Sequence, residues 1–203
     1  MSTPQEDRTV SSLLVFSIGL IGVCAFLQVY SVQAILPLLL DSFRATPVQV
    51  GNTVGATVLA VALISPFIGM WSDTVGLKAI IVGAIAFLAI PAALIAFSSS
   101  IQQMTFWRFV QGLAIPGITV VTIAYIGEEF KGKSMTRLMS AYVAGTVLGG
   151  FLGRFILGHL VEWMSWQSAF GVMSTLTVAG AVLVAKVLPP STHFEPTHQL
   201  RDS

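Results

Sequence analysis

Charge is the scarcest property of this 203-residue chain: Asp, Glu, Lys and Arg together make up 9% of it, against about 25% in an ordinary soluble domain. A water-soluble globule cannot cover its surface with so few charged groups. Ten Lys and Arg against nine Asp and Glu leave a net charge of +1, so there is no basic field to hold nucleic acid. Cysteine is almost absent. Cys24 stands alone in an apolar run, which excludes an internal disulfide. No group of His, Cys, Asp and Glu has the spacing of metal ligands. There is no glycine-rich phosphate loop and no Gly-x-Ser-x-Gly elbow. What the chain has instead is apolar surface: 55% of residues are hydrophobic and the mean hydropathy is +0.85. Only a membrane protein is built this way.

A helix needs about 20 apolar residues to cross the hydrocarbon core. Uncharged runs cover Thr9–Leu40, Ala45–Ser72, Ala79–Trp107, Phe109–Gly127, Leu138–Gly153 and Trp163–Ala185. The fifth is short, but only Arg154 interrupts it before Glu162, so Leu138–Val161 can still span. Ser98-Ser99-Ser100 and Gln102-Gln103 mark the turn between the third and fourth spans. The pattern predicts six helices near 13–40, 48–71, 79–98, 102–127, 137–161 and 166–187. All-α structure is forced, because isolated apolar segments in lipid can satisfy their backbone only as helices.

Six spans place both termini on one side, and positive charge selects which. The tails and the 72–78 and 128–137 loops carry Arg8, Lys78, Lys131, Lys133, Arg137, Lys186 and Arg201, whereas the opposite loops carry only Arg44. Seven cations against one put both termini in the cytoplasm of a bacterial inner membrane. Glu6 and Asp7 before Arg8, and an apolar run longer than a signal core, argue against a cleaved leader. Residues 1–12 read as a cytoplasmic tail, 13–188 as the bundle, and 189–203, from Pro189-Pro190 onward, as a polar tail or linker.

Two cations remain, Arg108 and Arg154, both inside predicted helices. At 1.5 Å per residue, Gln33 and Arg154 lie roughly 12 Å, and Arg108 about 9 Å, below the outer ends of their helices. The three fall in one layer of the outer half of the membrane. Tyr30, Gln33 and Pro37 share a face of the first helix, as do Arg108 and Gln111 on the fourth. An arginine facing lipid at that depth costs several kcal/mol, so each must face a bundle interior or a watery cavity. The two readings are a post that binds backbone carbonyls and a residue lining a substrate cavity, here Tyr30, Gln33, Arg108, Gln111 and Arg154. No carboxylate lies centrally in any helix, so the counter-charge is either an anionic substrate group or a carboxylate from another subunit.

Glycine is patterned too. Gly145, Gly149 and Gly153 recur every fourth residue with Gly150 beside them, and Gly51 and Gly55 repeat the spacing in the second helix. Small residues four apart let helices approach closely in lipid. Gly69-Met-Trp-Ser-Asp73 ends the second helix and Gly158-His-Leu-Val-Glu162 the fifth. The same small-to-acid spacing three helices apart, on opposite sides, fits an inverted three-plus-three repeat.

These residues resemble the N-terminal half of the major facilitator superfamily. Gly69-Met-Trp-Ser-Asp73-Thr-Val-Gly76-Leu-Lys78 looks like the signature between helices 2 and 3, with Thr74 and Leu77 in place of two usual basic residues. Arg108-Phe-Val-Gln111-Gly112 looks like the helix 4 signature. Gly145-xxx-Gly149-Gly150-xx-Gly153-Arg154 resembles the helix 5 antiporter signature, with Gly150 where proline is usual and Arg154 where glycine is usual. Tyr30-Ser-Val-Gln33 and the ending from Leu188 to Pro196 lean toward a bacterial efflux branch of the family.

The resemblance implies a secondary transporter moving a small solute by alternating access, with Gly69, Asp73, Gly76 and Lys78 in a cytoplasmic gate. It implies no cofactor or metal and leaves proton coupling open, with Asp41 the nearest carboxylate. It also implies twelve helices where this chain has six. A second six-helix half would come from a second copy or from a separate or missing segment. The alternative is a truncated or split product acting only as a membrane-embedded interaction module. Catalysis is not expected, because the serines, His159 and the carboxylates do not converge at one depth.

Overall fold

A computed structural model describes residues 10–189, with the side chains of 69–75 outside that description. The expected tails therefore lie almost wholly beyond it. The chain forms α1 (Ser12–Ser31), a 3-10 turn (Val32–Ile35), α2 (Leu36–Phe43), α3 (Pro47–Val75), α4 (Leu77–Ile95), α5 (Ile101–Glu129), α6 (Gly132–Leu160) and α7 (Trp166–Val187). Counting α1, the 3-10 turn and α2 as one, six helices are long and apolar enough to cross a membrane.

The helices start where local chemistry tells them to. Ser11, Thr46, Ser100 and Ser165 each cap a helix by accepting the N–H of the residue three further on. At Thr46 the side chain of Gln49 returns a bond from the cap's own N–H at 2.9 Å, and Pro47 occupies the first turn, where its missing donor costs nothing.

Two connections are shorter than charge placement suggests. The expected 72–78 loop is a single residue, Gly76, at φ 90° and ψ 131°, backbone that only glycine adopts without strain. The expected 128–137 loop shrinks to Phe130 and Lys131, because α6 starts at Gly132 rather than 137. Helix ends that leave the hydrocarbon tolerate Lys133 and Arg137, so charge does not mark where the helix stops. Lys131 donates Nζ to the Gly127 carbonyl at 2.9 Å, satisfying one of the last carbonyls of α5.

The first span is also broken. Pro37 has no N–H for the Gln33 carbonyl, and the chain tightens to 3-10 geometry over Val32–Ile35.

Packing follows an inverted repeat. The first span packs chiefly on the fifth, the second on the fourth, and the third on both the fourth and the sixth. Exchanging spans one, two and three with four, five and six maps the first–fifth pairing onto the second–fourth and the third–sixth onto itself, while the third–fourth pairing maps onto a slighter contact between the first and sixth. Glycine makes the tightest of them. Cβ atoms built on Gly145 and Gly153 would collide with the backbone of Gly19 and Leu27, and one on Gly149 would stand 2.6 Å from the Val23 carbonyl oxygen. From the other side, a Cβ on Gly22 would stand 2.7 Å from the Tyr142 carbonyl oxygen. In the symmetry-related pair, Gly112 of α5 sits against the carbonyl of Thr57 in α3. Gly51 and Gly55 have the same spacing but meet nothing within 4 Å; within this chain they do not serve a helix contact.

Candidate functional site

The polar residues expected in one layer form two clusters instead, on either side of the broken first span. The inner one is built on Arg108. Its Nε donates to the Thr53 carbonyl at 3.3 Å and Nη2 to the Val29 carbonyl at 2.8 Å. Nη1 donates to the Gln28 carbonyl at 2.9 Å and to Gln111 Oε1 at 2.7 Å. Guanidinium has five N–H groups, so nearly its whole donor capacity is met, and every acceptor is neutral. Gln28 and Val29 are among the last four residues of α1, whose carbonyls lack intrahelical donors and carry the negative end of the helix dipole. Arg108 thus caps a helix that stops inside the membrane. The close approach of Gly112 to α3 brings Arg108 within reach of Thr53.

Arg108 and Gln111 are 0% and 1% exposed. The expectation that they line a cavity is corrected: of the two readings, the buried post is the one the structure shows. Rotation about the helix axis, which packing sets, turns both inward.

Four partners of this network escape a reading by charge alone. Gln28, 1% exposed, donates Nε2 to the Met173 carbonyl at 3.0 Å and to Thr177 Oγ1 at 2.7 Å, and accepts from Gln111 Nε2 at 3.3 Å. Thr57 donates Oγ1 to the Arg108 carbonyl at 3.0 Å, and Thr53 supplies its own carbonyl. A glutamine deep in an apolar run and a pair of threonines one turn apart are the signals that were there to find. The network ties the first, second, fourth and sixth spans together.

The outer cluster sits on an uncovered face. Arg154 is exposed and donates Nε to Gln33 Oε1 at 3.0 Å, and its guanidinium carbon lies 4.6 Å from the centroid of the Tyr30 ring. Gly150 opens the space for that ring: a Cβ there would stand 3.2 Å from Tyr30 Cδ2. Phe26 continues the column, its ring 6.0 Å from Tyr30 at an interplanar angle of 23°. Tyr30, Gln33 and Arg154 are brought together, and Pro37 is exposed further along the first span, in α2. Among the described residues the single ion pair is His159 Nδ1 to Glu162 at 3.1 Å; neither arginine has a carboxylate partner.

Of the expected gate, Gly76 forms the turn just described and Lys78 is half-buried in the first turn of α4. Gly69 and Asp73 lie in α3, with their side chains outside the described residues. Within the described residues no group of His, Cys, Asp and Glu could hold a metal.

An inverted pair of three-helix units, with a buried polar spine and a cation on its open face, defines half of a membrane carrier fold. The Major Facilitator Superfamily profile matches residues 18–202, and the chain belongs to that family. Among curated relatives, the inner membrane transport protein YnfM of Escherichia coli is 32% identical over 96% of this chain and 46% of its own length. A bicyclomycin resistance protein homolog of Haemophilus influenzae is 26% identical over 85% of the chain and 44% of its own. Among solved structures, a bacterial homolog of the human lysosomal transporter Spinster, inward-facing and occupied, matches with a TM-score of 0.74 and 18% identity, covering 98% of this chain and 48% of that one. The chain spans about half the length of the curated relatives it matches.

Proposed function

We propose that this chain supplies half of the pathway of a secondary transporter in a bacterial inner membrane, moving a small solute outward by alternating access. The observation that carries the proposal is Arg154, held on an uncovered face in the outer half of the bilayer with donors to spare. Intramembrane ionisable groups mark solute or ion paths, and an open face on one bundle is half of a cavity. The efflux direction draws on the bicyclomycin resistance relative. A second six-helix half, from another copy of this chain or from another segment, closes the cavity. The junction of α3 and α4, with Gly69, Asp73, Gly76 and Lys78, gates it from the cytoplasm, where both termini lie.

The experiment is paired. Native mass spectrometry in nanodiscs reads whether the chain assembles to twelve helices, and energised everted vesicles containing it read antibiotic accumulation. Assembly with accumulation that Asp73→Asn abolishes is the expected result. A monomer without accumulation refutes the proposal for the chain alone. Impermeant maleimide on single cysteines at Lys133 and Phe97 checks the orientation: label from outside intact cells should reach only position 97.

A further inference from the structure

We infer that Arg154, Tyr30 and Phe26 form a subsite for a soluble organic anion: a carboxylate joined to a flat aromatic body. The inference rests on the transport reading only in placing this face in the solute path. Gln33 occupies Nε alone, and among the described residues no partner meets Nη1 or Nη2. These two nitrogens form a planar edge that matches the two oxygens of a carboxylate, a geometry an ammonium cannot offer. The guanidinium is fixed in orientation from two directions, by the Gln33 bond and by the Tyr30 ring beneath it. An arginine needed only for packing would use its donors on carbonyls, as Arg108 does.

The ligand's body follows from what lies beside the cation. Tyr30 and Phe26 stack along α1, leading away from Arg154 toward the membrane centre, and both are partly accessible. Their faces take an aromatic ring, and among the described residues no carboxylate pairs with Arg154; Glu162, at the same end of α6, is engaged by His159. An acidic lipid headgroup offers the same two-oxygen chemistry, but has no aromatic body to fill the column.

The test is a ligand-observed NMR titration of the whole chain in phosphatidylcholine nanodiscs. The probes are 1-naphthoate, its neutral amide, acetate and benzyltrimethylammonium. Naphthoate should bind more tightly than the other three. Arg154→Gln should weaken naphthoate at least tenfold and leave the amide unchanged, while Tyr30→Leu should weaken naphthoate and not acetate. Arg154→Lys should recover only part of the loss. Thermal unfolding midpoints near that of the unsubstituted chain show that each variant folds. Equal naphthoate binding by Arg154→Gln, preference for the cation, or no naphthoate binding by the folded chain overturns the inference. So does loss of naphthoate binding on adding phosphatidylglycerol, which would assign the site to a headgroup. Naphthoate binding without vesicle accumulation of any solute would sink the transport reading and spare this one. Accumulation that ignores both naphthoate and Arg154→Gln would do the reverse.

Discussion

Consider one methyl group placed on Gly149. Its carbon would stand 2.6 Å from the Val23 carbonyl oxygen and 2.7 Å from the Val23 Cα, short by about 0.8 Å of the 3.4 Å at which ordinary contact begins. Both obstacles are backbone, so no side chain can swing away; α1 and α6 must part. Overpacking of this kind costs about 1–3 kcal/mol, and alanine's helix preference over glycine returns up to about 1 kcal/mol. The same substitution at Gly83, exposed in the middle of α4 with nothing within 4 Å, keeps the preference and omits the collision. Gly149→Ala should therefore be less stable than Gly83→Ala by about 1–3 kcal/mol. Reversible unfolding in mixed micelles, followed by circular dichroism against rising dodecyl sulfate, measures both. Equal midpoints would mean that the glycine stripe does not set the distance between these helices.

Arg108→Leu removes all four guanidinium bonds, to the carbonyls of Gln28, Val29 and Thr53 and to Gln111 Oε1, and should cost about 3–5 kcal/mol in the same assay, since charge-assisted bonds contribute about 1.5–3 kcal/mol each and are not additive. Arg108→Lys should recover only a minor part, because one ammonium cannot span three helices' worth of acceptors. Gln28→Leu removes the bonds to Met173 and Thr177 and should cost about 1–3 kcal/mol; a cycle with Thr177→Val should show clear coupling, and additivity would contradict the shared bond. Gly76→Ala forces a β-carbon onto φ 90° and should lower stability by about 1–3 kcal/mol.

Much of the architecture is legible before any coordinates. Lipid removes every option but the helix, so six apolar runs become six spans, and the four-residue glycine repeat names the face that α6 turns to α1. Helix ends are less legible, because outside the hydrocarbon charged residues such as Lys133 continue a helix as well as others do. At Val75 the reverse holds: one glycine with positive φ turns the chain where a loop of several residues is expected. For the polar sites, charge says only that Arg108 and Arg154 avoid lipid. Which of them is enclosed depends on helix rotation, a property of neighbouring spans. Gln28 was hidden for a related reason, since an amide carries no charge and its partners lie on another helix, 149 residues away in the case of Thr177.

That distance has a consequence for biosynthesis. Chains are made at about 5–20 residues per second, so Gln28 is in the membrane for roughly 7–30 s before its hydroxyl partner exists. The first span's main packing partner, the fifth, is likewise still unmade while the second, third and fourth are threaded. Until the fourth span brings Arg108, the uncapped end of this helix must be sheltered by lipid headgroups, water or the insertion machinery, and the Gln28 side-chain N–H groups wait for the sixth. Only when the sixth span is released can the bundle close around it. The order of synthesis and the order of packing run against each other in this fold, and the earliest helix is the last to find its place.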